Sequence, residues 1–202
     1  MKPVLVLVGR PNVGKSTLFN RLTRGRDALV ADVPGLTRDR QYGEGKLGDR
    51  PYLAVDTGGV AEDLDRNVYD KHMSMETLMR EQTRQAVEEG DAIIFLVDGR
   101  SGVTPADEEL ANYLRRTNKP VIVAVNKTEG LAPDVVMAEF HRLGMTHIVA
   151  VSAKRGDGIS ELVANAMILK GENERTINLR LETIPGREEA GDEGEEGDSH
   201  DE

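Results

Sequence analysis

The chain has 202 residues, 38% of them hydrophobic and 31% charged, enough for one soluble domain with a proper core plus a short appendage. It contains no cysteine, which excludes a disulfide framework and a thiolate metal site and suits a reducing cytoplasm, and no apolar run approaches the roughly 20 residues of a membrane helix. The net charge of −10 is uneven: nine acidic residues and one basic residue lie between Arg187 and Glu202, so the remainder is close to neutral.

The chain opens with the apolar run PVLVLV at 3–8, which reads as a buried strand. It ends too soon, at Gly9 and Arg10, to be a signal peptide. GRPNVGKST follows at 9–17, then a helical pattern over 15–24. Gly9, Gly14, Lys15 and Ser16 fit the phosphate-loop spacing G-x-x-x-x-G-K-[ST], with the strand before it and the helix after it that the motif requires. The glycines let the backbone curl towards an anion, which the N–H groups and the helix N-terminus then bind. Lys15 reaches the β and γ oxygens, Ser16 takes Mg²⁺, and Val13 and Thr17 complete the contacts. The plain alternative is a glycine turn that happens to precede Lys-Ser.

Further along, YLAV (52–55), AIIFLV (92–97), VIVAV (121–125) and HIVAV (147–151) read as strands buried on both faces. Helical spacing recurs at 74–89, 105–117, 133–143 and 158–169. This alternation predicts an α/β domain with a mostly parallel sheet. Residues 25–50 and 57–74 break the rhythm as long polar loops, the first with one edge strand, and long loops in a compact domain tend to be functional. TINLRLETIP, within 171–186, alternates Ile177, Leu179 and Leu181 with a strand's period, yet one strand cannot stand alone. The expected organisation is a domain over 1–170, a connecting segment over 171–186 and a disordered acidic tail over 187–202.

The choice of base rests on VNKTEG at 125–130, at the end of a strand, where open α/β sheets place ligand contacts. The Glu129 carboxylate can accept both N1–H and the exocyclic N–H of guanine, whereas adenine would leave that charge unpaired. Asn126 and the stem of Lys127 would support the loop and the base plane. At the next strand end, VSAKRG places Ser152, Ala153 and Lys154 where a backbone N–H meets guanine O6.

With GRPNVGKS, Thr37 in PGLTRDR, DTGG at 56–59, NKTE at 126–129 and SAK at 152–154 in order, the chain resembles the P-loop GTPases. More narrowly, over residues 1 to about 170, it is similar to the first G domain of the bacterial double GTPases Der or EngA, of the TrmE-Era-EngA type. The resemblance implies a three-layer, Ras-like G domain whose mostly parallel sheet has one antiparallel edge strand. It implies binding of GTP and GDP, hydrolysis of GTP, and Mg²⁺ held by Ser16, Thr37 and Asp56, with Thr57 as an alternative to Thr37. The Gly59 N–H would meet the γ-phosphate. It further implies a cytoplasmic role in large ribosomal subunit assembly. A second G domain and an RNA-binding-like C-terminal domain would stand beyond this chain, and no membrane would be involved.

Two residues depart from the pattern. Glu129 stands where such GTPases usually have Asp, and the extra methylene moves the carboxylate by about 1.5 Å. Val60 stands where Ras-like enzymes carry the glutamine that orients water. Catalysis then needs positive charge from elsewhere, and Asn12 is the candidate. Its amide oxygen would ligate K⁺ beside the α and β phosphates, together with loop carbonyls from 30–37, so that the cation does an arginine finger's work. Asn12 alternatively shapes the loop through its own backbone. The competing functions are a non-catalytic GTP/GDP-sensing domain, which Val60 favours, and an ATPase, which Glu129 disfavours. The histidines at 72, 141, 147 and 200 sit at no metal-ligand spacing.

Overall fold

A computed structural model of the chain describes residues 2–23, 41–57 and 75–182, with backbone alone at 75–80, 82 and 172–182. The elements in order are β1 (Val4–Val8), α1 (Lys15–Leu22), β2 (Gln41–Leu47), β3 (Arg50–Asp56), α2 (Met75–Glu89) and β4 (Ala92–Asp98). They are followed by α3 (Pro105–Arg116), β5 (Val121–Asn126), α4 (Pro133–Phe140), β6 (Ile148–Ala150) and α5 (Ile159–Glu182).

Alternation along β1 explains the layering. Leu5 and Leu7 project into one core with Leu18 and Phe19 of α1 and Leu162, Val163 and Ala166 of α5. Val6 and Val8 project into the opposite core with Ala86 and Val87 of α2, Ala111 and Leu114 of α3, and Phe140 of α4. β4 is buried at all seven positions because helices cover both of its faces. The six strands run in the order β2-β3-β1-β4-β5-β6, parallel except for the antiparallel β2–β3 hairpin at one edge. The expected α/β fold, with one antiparallel edge strand, is therefore the observed one.

β1 lies between β3 and β4, and the helices that follow β1 and β4 pack on opposite faces of the sheet. Their connections diverge and open a crevice at the carboxyl ends of the strands, where such folds bind ligands. The start of α3 is fixed by reciprocal capping: Thr104 Oγ accepts from the Asp107 N–H at 3.3 Å, and Asp107 accepts from the Thr104 N–H at 2.9 Å.

One local reading that the sequence leaves open is decided here. Residues 171–182, whose apolar alternation suggested a strand, continue α5 to Glu182. A strand gains its hydrogen bonds only from a neighbouring strand, whereas each residue added to an existing helix makes its own. The helix over 133–143 also resolves into α4 and a 3₁₀ turn, His141–Leu143, closed by Gly144 at φ 71°. The domain limits at 170 and 186 remain expectations, and the acidic stretch 187–202 lies outside the described residues.

Candidate nucleotide-binding site

The phosphate loop emerges from β1 and passes directly into α1. Gly14 caps the helix at φ 102°, a left-handed conformation that glycine adopts without steric cost. A Cβ on Gly9 would lie 2.5 Å from the Leu96 carbonyl, and one on Gly14 would lie 2.4 Å from Asn126 Nδ2. Each glycine thus buys closeness: the first to β4, the second to the loop after β5. Lys15 is buried and its ammonium donates to the carbonyls of Gly9 at 2.9 Å and Arg10 at 3.0 Å, so it lies folded across the loop. An entering phosphate offers charged oxygens in exchange for these neutral carbonyls, a stronger pairing. Ser16 Oγ donates to Asp56 Oδ2 at 3.2 Å, and Asp56 is fully buried at the end of β3. A hydroxyl and a buried carboxylate this close form an all-oxygen donor set that fits Mg²⁺. Thr57 instead turns inward, its hydroxyl donating to the Leu7 carbonyl at 2.8 Å.

Asn126 joins two loops. Its Nδ2 donates to the Val13 carbonyl at 2.9 Å, and its Oδ1 accepts from the Ala153 N–H at 2.9 Å. Ala153 N–H is engaged in that bond, so a backbone contact to guanine O6 has to share it or come from Lys154. Lys127 adopts φ 66°, rare for a side chain other than Asn or Asp, and donates to the Asn12 carbonyl at 2.8 Å. Thr128 Oγ donates to the Val151 carbonyl at 2.8 Å, tying the loop after β5 to the strand beside it.

Glu129 is held ionised: its own backbone N–H, then the Ser152 hydroxyl, then the nearby Arg100 and Lys154 charges depress its pKa against a smaller opposing effect of burial. Its Oε2 is inaccessible to solvent and accepts no hydrogen bond among the described residues. A buried carboxylate oxygen without a donor is costly.

Asn12 stands at φ 66° with its side chain exposed, and no hydrogen bond uses its amide among the described residues. Asn tolerates this left-handed backbone better than most residues, which is a conformational reason for its presence independent of any ligand. Thr37, Gly59 and Val60 lie outside the described residues. His141 and His147 are exposed, and no group of three or more metal-ligating side chains forms among the described residues.

Four side chains not anticipated from the motifs complete the site. Asp98, at the end of β4, accepts from Lys127 Nζ at 2.6 Å and from the Arg100 N–H at 2.9 Å. Burial opposes its ionisation, but Lys127 and the Arg100 and Ser101 N–H groups outweigh that and hold its pKa below the ordinary carboxylate value. Arg100 donates to the Glu129 carbonyl at 2.6 Å. Arg10 donates to Ser101 Oγ at 2.6 Å and lies 3.4 Å from Asp107, anchoring the phosphate loop to the start of α3. Arg21 donates to the carbonyls of Ala153 and Lys154. The available signal was positional: VDGR at 97–100 ends a buried strand beside β1, in the ligand-facing row.

A family model described as 50S ribosome-binding GTPase matches residues 4–127. The chain belongs to that GTPase family. It is 60% identical over 167 residues to GTPase Der of Dechloromonas aromatica, covering 83% of this chain and 36% of that protein. It is 55% identical over 169 residues to GTPase Der of Ralstonia pickettii, covering 84% of this chain and 36% of that protein. The chain therefore spans about a third of the length of these curated relatives, 36% in each case. Among solved structures, Aquifex aeolicus Era bound to GDP and AlF₄⁻ matches with a TM-score of 0.62 at 33% identity, covering 84% of this chain and 57% of that one. The Der resemblance and the P-loop GTPase fold read from the motifs both hold. No helix among the described residues is long and apolar enough to cross a membrane.

Proposed function

We propose that this GTPase domain binds GTP with Mg²⁺ and hydrolyses it to GDP and phosphate, with K⁺ accelerating the reaction. The observation that carries guanine selection is Glu129 Oε2, buried and without a donor among the described residues, beside the Ser152–Lys154 loop; the paired N–H groups of guanine would be its donors. Lys15 would exchange the Gly9 and Arg10 carbonyls for phosphate oxygens, and Ser16 with Asp56 would hold Mg²⁺, whose charge would offset that of the phosphates. Thr37 would supply the second hydroxyl to the metal and the Gly59 N–H would meet the γ-phosphate. The Asn12 amide oxygen would hold K⁺, which would supply there the positive charge that an arginine finger supplies elsewhere. Because that charge acts at the transition state, it raises turnover more than affinity.

The family description, 50S ribosome-binding GTPase, supports a role with the large ribosomal subunit, and the same reading places the chain in the cytoplasm. In that role the chain acts with a second G domain and an RNA-binding-like C-terminal domain. Val60, which cannot orient water, favours a second reading: a non-catalytic domain that senses GTP or GDP for its neighbours. GTP turnover in matched KCl and NaCl at saturating Mg²⁺ separates the two. Stimulation by K⁺ is the expected result. Equal, slow turnover in both salts with GTP binding retained would select the sensing domain.

A further inference from the structure

We propose that Arg21 is a positioning residue for guanine recognition: its guanidinium holds the 152–154 loop so that a backbone N–H there meets the purine 6-oxo group. The inference rests on the guanine reading above and names a residue outside the nucleotide motifs. Arg21 lies in the last turn of α1, 132 residues from Ala153 in sequence. Its Nε donates to the Ala153 carbonyl at 2.8 Å, and its Nη2 donates to the Lys154 carbonyl. The planar guanidinium thus grips two consecutive carbonyls with a fork whose shape does not change.

The consequence follows from peptide geometry. The Ala153 carbonyl and the Lys154 N–H belong to one planar, trans peptide, so they point in opposite directions. Fixing the carbonyl on Arg21 therefore aims the Lys154 N–H away from α1. On its other side Ala153 is held by its own N–H, which donates to Asn126 Oδ1. The loop is closed further on, where the Ser152 N–H donates to the Asp157 carbonyl at 3.0 Å. A side chain at Gly156 would begin 3.6 Å from Arg21 Nη1, so the turn runs directly past the guanidinium.

α1 also carries Lys15 and Ser16 at its other end. Its eight residues span about 12 Å as one rigid element. The same helix thus holds phosphate contacts at its start and the base loop at its end, which sets the distance between them. Arg10, by contrast, anchors the phosphate loop to α3 and leaves the base loop untouched.

The test compares GDP, 6-thio-GDP and ADP binding by titration calorimetry on the wild-type chain and on R21M and R21K. Sulfur is a longer, weaker acceptor than oxygen, so wild type should bind 6-thio-GDP less tightly than GDP. In R21M, GDP affinity should fall about tenfold, the scale of one hydrogen bond, and the 6-thio analogue much less. The ratio of the two dissociation constants should then move towards one, with R21K between wild type and R21M. Should R21M bind no nucleotide, the R21K ratio decides. An unchanged ratio in the variants, with both affinities falling equally, would overturn the proposal and leave Arg21 a structural side chain. ADP binding as tight as GDP binding in wild type would instead overturn the guanine reading, and the proposal with it.

Discussion

The ammonium of Lys127 donates to Asp98 Oδ2 at 2.6 Å while it also donates to the Asn12 carbonyl at 2.8 Å. One side chain therefore ties the guanine loop to the phosphate loop, and Asp98, at the end of β4, keeps its charge in place. D98N retains the shape but removes the charge partner of a half-buried ammonium. Stability should fall by about 1–2 kcal/mol, read as a lower Tm, and GDP affinity should fall with it.

The same pair has a pH signature. Asp98 has a pKa depressed in the folded protein, so its contribution to stability is fully present above the ordinary carboxylate value. It is lost as the pH falls through the lower folded value. Thermal denaturation should show wild type losing its advantage over D98N as the solution is acidified from neutral. A constant Tm difference across that range would mean that the charge of Asp98 does not stabilise the fold.

Lys15 is buried and satisfied by two backbone carbonyls, so its replacement by methionine leaves two acceptors exposed and no cation for the phosphates. K15M should weaken GTP binding by about 10- to 100-fold, the scale of one or two charge-assisted hydrogen bonds. Fluorescent GTP titration is the measurement. Its fold should persist, because the hydrophobic clusters on both faces of the sheet do not depend on the ammonium.

Asn12 offers a cleaner separation than an alanine scan. At φ 66° alanine is strained by about 1 kcal/mol, whereas glycine is not. N12G should therefore keep the loop shape and GTP binding yet lose the acceleration by K⁺ relative to Na⁺. Turnover of N12G that still responds to K⁺ would show that the amide is no ligand and that Asn is present for its backbone conformation.

On the proposed reading Glu129 sets base choice, through a carboxylate oxygen that accepts no hydrogen bond among the described residues. E129A should reduce GDP affinity while leaving ADP affinity nearly unchanged, lowering the preference by about 10- to 100-fold, as expected for loss of hydrogen bonds to a charged group. E129D should bind GDP at least as well as wild type. Competition titrations with both nucleotides read this directly.

Much of the domain was legible because its signals are local. Continuous apolar runs marked β1, β4 and β5, since a parallel strand covered on both faces has no polar side. Gly9, Gly14, Lys15 and Ser16 are consecutive enough that spacing alone carries their chemistry, and NKTE is equally compact. α5 was legible only to residue 169: its last turns carry an alternation that suits a strand, and they continue the helix instead, with no strand pairing them among the described residues. Periodicity does not encode a missing neighbour.

What the sequence determined by itself is the set of loops expected to contact a nucleotide and their order along strands and helices. The tertiary structure decided how those loops hold one another. Lys127 meets Asp98, Arg10 meets Ser101, and Arg21 meets the Ala153 carbonyl across 29, 91 and 132 residues of chain. No local spacing predicts such pairs, because a long side chain's partner is set by which strand ends the sheet brings side by side. The strand order β3-β1-β4-β5-β6 places all these ends in one row, and a residue's role there depends on that neighbourhood rather than on its own type.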